Sequence, residues 1–426
     1  MESEVRQRID QIQRGEVPRG YKKTKAGILP IDWTIYLIKD CLERVERPVS
    51  VQADEMYTQI GIRSHGKGLF YKEPVSGESL GKKAVFWIEP DCFILNIVFA
   101  WEQAIGKTTQ NEVGMIGSHR FPMYRSVDGK IDIDYLIEFL MTKRGKDILE
   151  AASPGGAGRN RTLGQDRFMK SEIVLPTKPE QQKIAEIIKL QEQIIELNSQ
   201  MIRQLELMKK ACLRKMFPKQ GNNVPEVRFP GFTDPWERRK FSDFTWAAGK
   251  RNKNDLNFEP YAITNEHGFI PQSDAHDEFS YMKDTDRKAY NIVEPNSFAY
   301  NPARINVGSI GYYEGAENVI VSSLYEVFKT ADYVDDRFLW HWFKSDQFPK
   351  WISKLQEGSV RLYFYYDKLC ECQMLMPSVE EQKRIAASLD QLDNFITLHQ
   401  RKLNEEKQKK KALMQLLFSG IVRVTV

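Results

Sequence analysis

Between Glu180 and Phe217 the chain has neither proline nor glycine. Its apolar residues return in a seven-residue cycle at Ile184, Ile187, Ile188, Ile194, Ile195, Met201, Ile202, Leu205 and Met208. That cycle predicts one long helix with a coiled-coil seam. At about 1.5 Å of rise per residue it runs roughly 57 Å, too far to hide inside one domain, so it needs a partner. A second stretch supplies one: Ile385, Leu389, Leu392, Phe395, Ile396, Leu403, Leu413 and Leu417 keep the same cycle. Gln191, Asn198 and His399 interrupt the apolar seam. They either fix register inside it, at some cost in stability, or lie at its wet edge.

Ahead of each long helix the pattern changes. Short β-rich runs, such as residues 84–88 and 319–321, sit between Gly, Asn, Asp and Pro turns. The apolar run 92–101 reads as a buried strand. One amphipathic helix is expected near residues 135–149, matched by another near 338–355.

These two halves are copies. Ile88-Glu89-Pro90-Asp91-Cys92-Phe93-Ile94-Leu95-Asn96 recurs as Val293-Glu294-Pro295-Asn296-Ser297-Phe298-Ala299-Tyr300-Asn301. Ile105-Gly106 recurs as Ile310-Gly311, His65-Gly66 as His267-Gly268, and Trp33 as Trp236. Pro176 followed by Glu180-Gln181 returns as Pro377 followed by Glu381-Gln382. Lys209-Lys210-Ala211 and Phe217 return as Lys410-Lys411-Ala412 and Phe418. A period of roughly 200 residues is no solenoid; it means two copies of a whole domain plus a helix.

Composition then removes function classes. The 426 residues are 41% hydrophobic and 28% charged, which excludes wholesale disorder and low complexity. The net charge of +4 does not announce nucleic acid, although local basic patches remain open. The start, Met1 to Arg6, is polar and does not read as a secretory signal, and the longest apolar run is too short to cross a bilayer. Five cysteines without a zinc-type pair point to a reducing, cytoplasmic setting, and six histidines show no metal-ligand spacing.

Three motifs invite chemical readings. Gly106-Lys107-Thr108 looks like the end of a phosphate-binding loop, but Trp101 stands where that loop needs its first glycine. Asn301-Pro302-Ala303-Arg304 is similar to the amino-methyltransferase motif, yet Ala303 and Arg304 replace its second proline and its aromatic ring. Gly155-Gly156-Ala157-Gly158-Arg159-Asn160-Arg161 is different. Its glycines let backbone approach a ligand closely, and Arg and Asn are the side chains that read guanine and adenine edges. The repeat offers Gly358 with Arg361, Tyr363 and Tyr365 at the matching place. The other reading is a surface turn with solvated arginines. With Arg304 and Asn306, near another glycine-bounded loop, the candidate DNA-contacting residues are Arg159, Asn160, Arg161, Arg304, Asn306, Arg361, Tyr363 and Tyr365. The cluster Lys250-Arg251-Asn252-Lys253 suits phosphates or plain solvent. The charged helix end 401–411 offers DNA a hold, but suits better a solvated face with charge pairs or a docking surface for a partner.

On the segment Gly27-Ile28-Leu29-Pro30-Ile31-Asp32-Trp33, the twin Pro-x-x-x-Glu-Gln helix starts and the twin Lys-Lys-Ala to Phe helix ends, the chain resembles the specificity subunits of type I restriction-modification systems. The resemblance implies an α+β fold. In it two mixed α/β target-recognition domains are separated by two long antiparallel coiled-coil helices in a pseudo-twofold internal repeat. The expected segments are an N-terminal arm (1–25), recognition domain 1 (26–175), helix 1 (176–217), a linker (218–235), recognition domain 2 (236–376), helix 2 (377–418) and a tail (419–426). The arm is expected to stand where the linker stands in the other half. The implied target is double-stranded DNA with two specific half-sites around a non-specific spacer, with the helices as the ruler. The implied partners are two modification subunits, which methylate adenine with S-adenosylmethionine, and restriction subunits, which use ATP and Mg2+ to translocate and cut. The chain itself is expected to carry no cofactor, no metal and no catalysis. A stand-alone DNA methyltransferase or nuclease, or a non-specific coiled-coil DNA tether, are the alternatives.

Overall fold

The computed structural model describes residues 2–81, 83–155, 161–265, 268–274, 287–358 and 362–424. The main helices are α1 (Glu2–Gln13), α2 (Ile133–Met141), α3 (Lys143–Ala151), α4 (Lys178–Lys215), α5 (Asp336–Phe343), α6 (Phe348–Leu355) and α7 (Val379–Phe418). The chain packs as two compact units. The first is Met1–Leu197 with Lys402–Val426, and the second is Asn198–Arg401. Each unit therefore owns one end of each long helix.

The two units repeat one sheet. In the first unit the antiparallel order is Ile105–Lys107, Phe93–Leu95, Met123–Ser126, Leu42–Val45. In the second it is Ile310–Tyr313, Ser297–Tyr300, Glu326–Thr330, Thr245–Ala247. The register repeats too: Ile94 faces Gly106, and Ala299 faces Gly311. The recurring Ile-Gly now has a cause. A Cβ on Gly106 would lie 3.3 Å from Leu69, and one on Gly311 would lie 2.7 Å from the Phe269 ring. Both neighbours belong to the second strand of a hairpin, Leu69–Tyr71 and Gly268–Pro271. In the first hairpin His65 and Gly66 form the turn, with φ of 62° and 64°.

Two expectations need correction. The run 92–101 is not one strand. Only Phe93–Leu95 is extended in the sheet, because Asn96 Oδ1 accepts from Val98 N at 3.1 Å and turns the chain into the 3-10 turn Ala100–Glu102. The amphipathic segment 135–149 is two helices. Thr142 is extended (φ −70°, ψ 163°) and caps α3 by accepting from Gly145 N at 3.1 Å. Gly145 is required there, since a Cβ would meet the Phe139 carbonyl at 2.2 Å. The segment 338–355 splits likewise into α5 and α6, with Pro349 in the first turn of α6.

The long helices form as the seven-residue cycle requires. In the first unit Ile184 and Ile188 of α4 are fully buried in one core with Leu417, and Leu413 packs against it. In the second unit Ile385 and Leu389 of α7 share a core with Met216, and Cys212 packs against it. Burying each such Ile or Leu contributes about 1.5–3 kcal/mol. In each unit rising numbers on one helix meet falling numbers on the other, so the stretches run antiparallel. Gln191 donates to Glu406 Oε2 at 2.5 Å, and His399 Nδ1 lies 3.2 Å from Asn198 Oδ1. Gln191 and Asn198 are buried, which puts them inside the seam and not at a wet edge. The seam leaves out Ile194, Met201, Met208 and Phe395, which are exposed. On α4 the first three belong, with Leu190 and Leu197, to a second apolar stripe beside the buried one.

The twin Glu-Gln helix starts tie each long helix to the sheet domain of its unit. Gln181 Oε1 accepts from Asp132 N at 2.8 Å, and its amide donates to the Lys130 and Pro176 carbonyls at 3.0 Å. Gln382 does the same with Asp335 N at 2.8 Å, Tyr333 O at 3.2 Å and Pro377 O at 3.0 Å. Asp132 and Asp335 are the N-caps of α2 and α5. The preceding Glu180 takes Arg423 and Trp33, and Glu381 takes Arg228 in a two-pronged pair at 2.8 Å. In the first unit the arm and tail meet, with Tyr21 donating to Gly420 O at 2.6 Å.

Candidate nucleic-acid interface

In each unit the central strand is followed by an Asn turn. Asn96 Oδ1 accepts from Val98 N at 3.1 Å, and Asn301 Oδ1 from Ala303 N at 3.0 Å. A 3-10 turn follows, capped by Phe99 in the first unit and by Arg304 in the second, with nearly the same backbone (φ −123°, ψ 19° and φ −129°, ψ 9°). The chain just after each of the two glycine-bearing segments is tied to this turn: Leu163 N donates to Ile97 O at 2.8 Å, and Phe364 N donates to Pro302 O at 3.1 Å. One surface built from two clipped loops therefore recurs in both units.

Arg159, Asn160 and Arg361 lie outside the described residues. Arg161 is described, and its guanidinium sits 5.3 Å from the centre of the Trp101 ring, half-buried over it. Arg304 and Asn306 are both exposed on one turn. Tyr363 and Tyr365 stack with ring centres 5.5 Å apart and planes 2° from parallel, Tyr365 being exposed. Tyr363 also exchanges both backbone hydrogen bonds with Glu357, at 2.8 and 3.0 Å. The Phe364–Pro302 clip brings the tyrosine pair to the loop that carries Arg304. Such a surface offers guanidinium and amide groups for base edges and aromatic faces for stacking. Phe99 and Trp101 occupy the places of Arg304 and Asn306 and were not among the candidates named from the sequence. The repeat itself held the signal, since both follow the repeated Asn at the same distance.

The other motifs resolve as structure. Lys107 pairs with Asp134 at 2.8 Å, and Thr108 is buried, donating to Glu89 O at 2.6 Å. Asn301 closes its own turn. Lys250 pairs with Glu294 at 3.2 Å, and Asn252 is buried with its amide on Leu256 O. One group with metal-ligand chemistry exists among the described residues, His341 with Asp390 and Asp393. Its carboxylates already have partners: Arg337 and His341 on Asp390, Lys209 on Asp393. That arrangement fits an ion-pair network between helices better than a metal centre. Burial alone would push Asp390 up, but hydrogen bonds from His341 and Arg337 hold it down at about 2.

A family model described as type I restriction modification DNA specificity domain matches residues 89–207 and 234–408. A putative type I restriction enzyme MjaX specificity subunit from Methanocaldococcus jannaschii is 23% identical over 427 residues, covering 95% of this chain and 97% of the relative. The type I restriction enzyme MjaVIII specificity subunit of the same organism is 24% identical, covering 95% and 96%. Among solved structures, the HsdS subunit from Thermoanaerobacter tengcongensis is similar at TM-score 0.51 and 17% identity, covering 92% of this chain and 98% of that one. A chain from a structure concerned with assembly and conformational transition of a type I R-M system is similar at TM-score 0.56 and 15% identity, covering 92% and 99%. At these identities the likeness to solved structures speaks for the fold.

Proposed function

The chain belongs to the type I restriction-modification DNA specificity family, and from that premise we propose that each of its two units reads one half of a bipartite duplex target. One observation carries this reading. The same clipped pair of loops occurs twice, with different side chains at matching places: Phe99 against Arg304, and Trp101 against Asn306. Two scaffolds alike in backbone and unlike in contact chemistry are suited to two different half-sites.

In this reading the chain supplies recognition and its partners supply chemistry. Two modification subunits methylate adenine within the recognised sequence, and restriction subunits cut unmodified DNA. The exposed stripe of Leu190, Ile194, Leu197, Met201 and Met208 supports docking of a partner helix, because apolar residues at seven-residue spacing on an open face are what a further coiled-coil helix buries. The reading assigns the complex to the cytoplasm. Five free cysteines agree with a reducing compartment, and no helix among the described residues is long and apolar enough to cross a membrane. The test is co-expression with the neighbouring modification subunit in a host without adenine methylation, followed by a genome-wide map of methylated adenines. A single two-part motif with a fixed spacer is the expected outcome. Methylation without a motif, or transfer by this chain alone, would contradict it.

A further inference from the structure

The first unit contains a 780 Å³ cleft that no motif of the sequence marks. Its walls come from four separate stretches: the base of the hairpin at Gln59 and Lys72, the segment 83–85, the Asn96 turn with Phe99, and the loop 118–121. Backbone hydrogen bonds close the hairpin base and join the other three stretches in series. Lys72 N donates to Gln59 O at 2.9 Å, His119 N to Ala84 O at 3.3 Å, and Ile97 N to Arg120 O at 3.0 Å. Ile97 O in turn accepts from Leu163 N, so the same turn that clips the glycine-rich loop also forms a wall of the cleft. The shape is thus held by main chain together with the packed Ile60, Val85 and Phe121, and its exposed polar side chains take no part in that packing.

Those side chains are one-sided in charge. Lys72, Lys83 and Arg120 line the cleft together with His119, and no carboxylate among the described residues does. All four are exposed, and none of the three cations has an ion-pair partner among the described residues. Beside them stand Gln59, half-buried, and Asn96, whose Oδ1 is occupied by its own turn while its amide nitrogen remains a donor. A cleft lined by two lysines, a guanidinium and two amides matches a nucleic-acid strand. Lysines neutralise phosphates, Arg pairs with guanine O6 and N7, and Gln pairs with adenine N6 and N7. An apolar small molecule would leave the cations unused.

We propose that this cleft is where the first unit reads its half-site, with Arg120 and Gln59 on base edges and Lys72 and Lys83 on the flanking phosphates. The proposal rests on the reading of the chain as a DNA specificity protein and moves the main contacts away from the glycine-rich loop. The second unit keeps two of the backbone ties, Gln272 N to Pro260 O at 2.8 Å and Phe364 N to Pro302 O at 3.1 Å. It carries different side chains around them, as a second specificity requires.

The test uses the full chain in complex with its modification subunits. The methylation map of the wild type defines both half-sites and supplies the duplex probe. Arg120→Ala and Gln59→Ala should each relax preference about 10–100-fold at one or two positions of one half-site, leaving the other half unchanged. The unchanged half shows that the variant folds. Lys72→Ala and Lys83→Ala should instead weaken binding to every sequence and lower the salt dependence of the binding constant by about one counterion each. If Arg120→Ala stops methylation altogether, Arg120→Lys decides: relaxed preference at the same half-site supports the cleft, and unaltered preference overturns it. Variants that methylate both original half-sites with unchanged preference overturn the cleft and leave the family reading intact. A wild type that binds and methylates without any motif overturns the reading beneath it.

Discussion

His399 Nδ1 lies 3.2 Å from Asn198 Oδ1, and these two residues are one position of the repeat, 201 residues apart. The seam thus places a repeat position against its own copy and makes the pair polar. By the same spacing Gln191 corresponds to Leu392, and its partner Glu406 corresponds to Leu205. The second polar pair of the seam therefore has apolar residues at both of its repeat equivalents. A helix pairing α4 with another α4 would set Gln191 against Leu205 and leave a buried amide without its carboxylate. The polar positions specify that α4 pairs with α7.

This specification has a measurable cost. Asn198→Leu removes His399's partner in a buried seam and should lower stability by about 1–3 kcal/mol. Adding His399→Leu should recover that loss, because two apolar residues can pack where two polar ones were paired. Urea unfolding of the two singles and the double, taken as a cycle, measures the coupling. Additive losses would remove the pair from the seam's energetics.

The glutamine locks should be local. Gln181→Ala breaks three hydrogen bonds, one of them to the cap of α2. A loss of about 2–3 kcal/mol is expected from bonds worth about 1 kcal/mol each. Amide exchange should speed up at the start of α2 and stay unchanged at the start of α5, and Gln382→Ala should reverse the pattern. Exchange that quickened equally in both places would show that the locks do not act within their own units.

Two half-buried acids respond oppositely to pH. Asp390 is held at about 2 by His341 and Arg337 against its burial. A lowered carboxylate contributes stability above its ordinary pKa, and this is lost as pH falls from about 4 toward 2. Glu138 is pushed up to about 7, chiefly by burial and then by Glu192, while Lys410 pulls it down and Asp134 raises it further. A raised carboxyl favours the fold below its ordinary pKa, and that contribution is lost as pH rises through about 7. Glu138→Gln should therefore raise the melting temperature at pH 8 relative to wild type and do little at pH 5. Asp390→Asn should flatten the acid limb between pH 4 and 2. Melting curves across pH check both signs.

The periodic elements were legible in the sequence. A seven-residue cycle and a 201-residue offset are properties of residue order, and Ile184, Ile188, Ile385 and Leu389 sit where they put them. The stripe of Ile194, Met201 and Met208 has the same period one residue earlier, so period alone could not tell the buried face from the open one. The break at Thr142 depends on a side chain competing with the helix backbone, which leaves no gap in the apolar pattern. Arg304 and Asn306 were singled out by residue type, and both are exposed on one turn. The cleft of Lys72, Lys83 and Arg120 was not, because its walls come from four stretches far apart in the sequence.

Arg304 is exposed on the turn that the tyrosine loop clips. Arg304→Ala should relax sequence preference in the half-site read by the second unit, at about 1–3 kcal/mol of discrimination, and leave the other half-site intact. Methylation maps of the variant complex read this directly, and a change confined to the other half-site would contradict it.

The independence of the two readers is tested most directly by exchange. Residues 26–175 are replaced with the matching segment of another family member of known target, and methylated adenines are mapped with the same modification subunits. The account predicts that one half of the motif becomes that of the donor and the other half stays. A motif altered in both halves, or in neither, would contradict it.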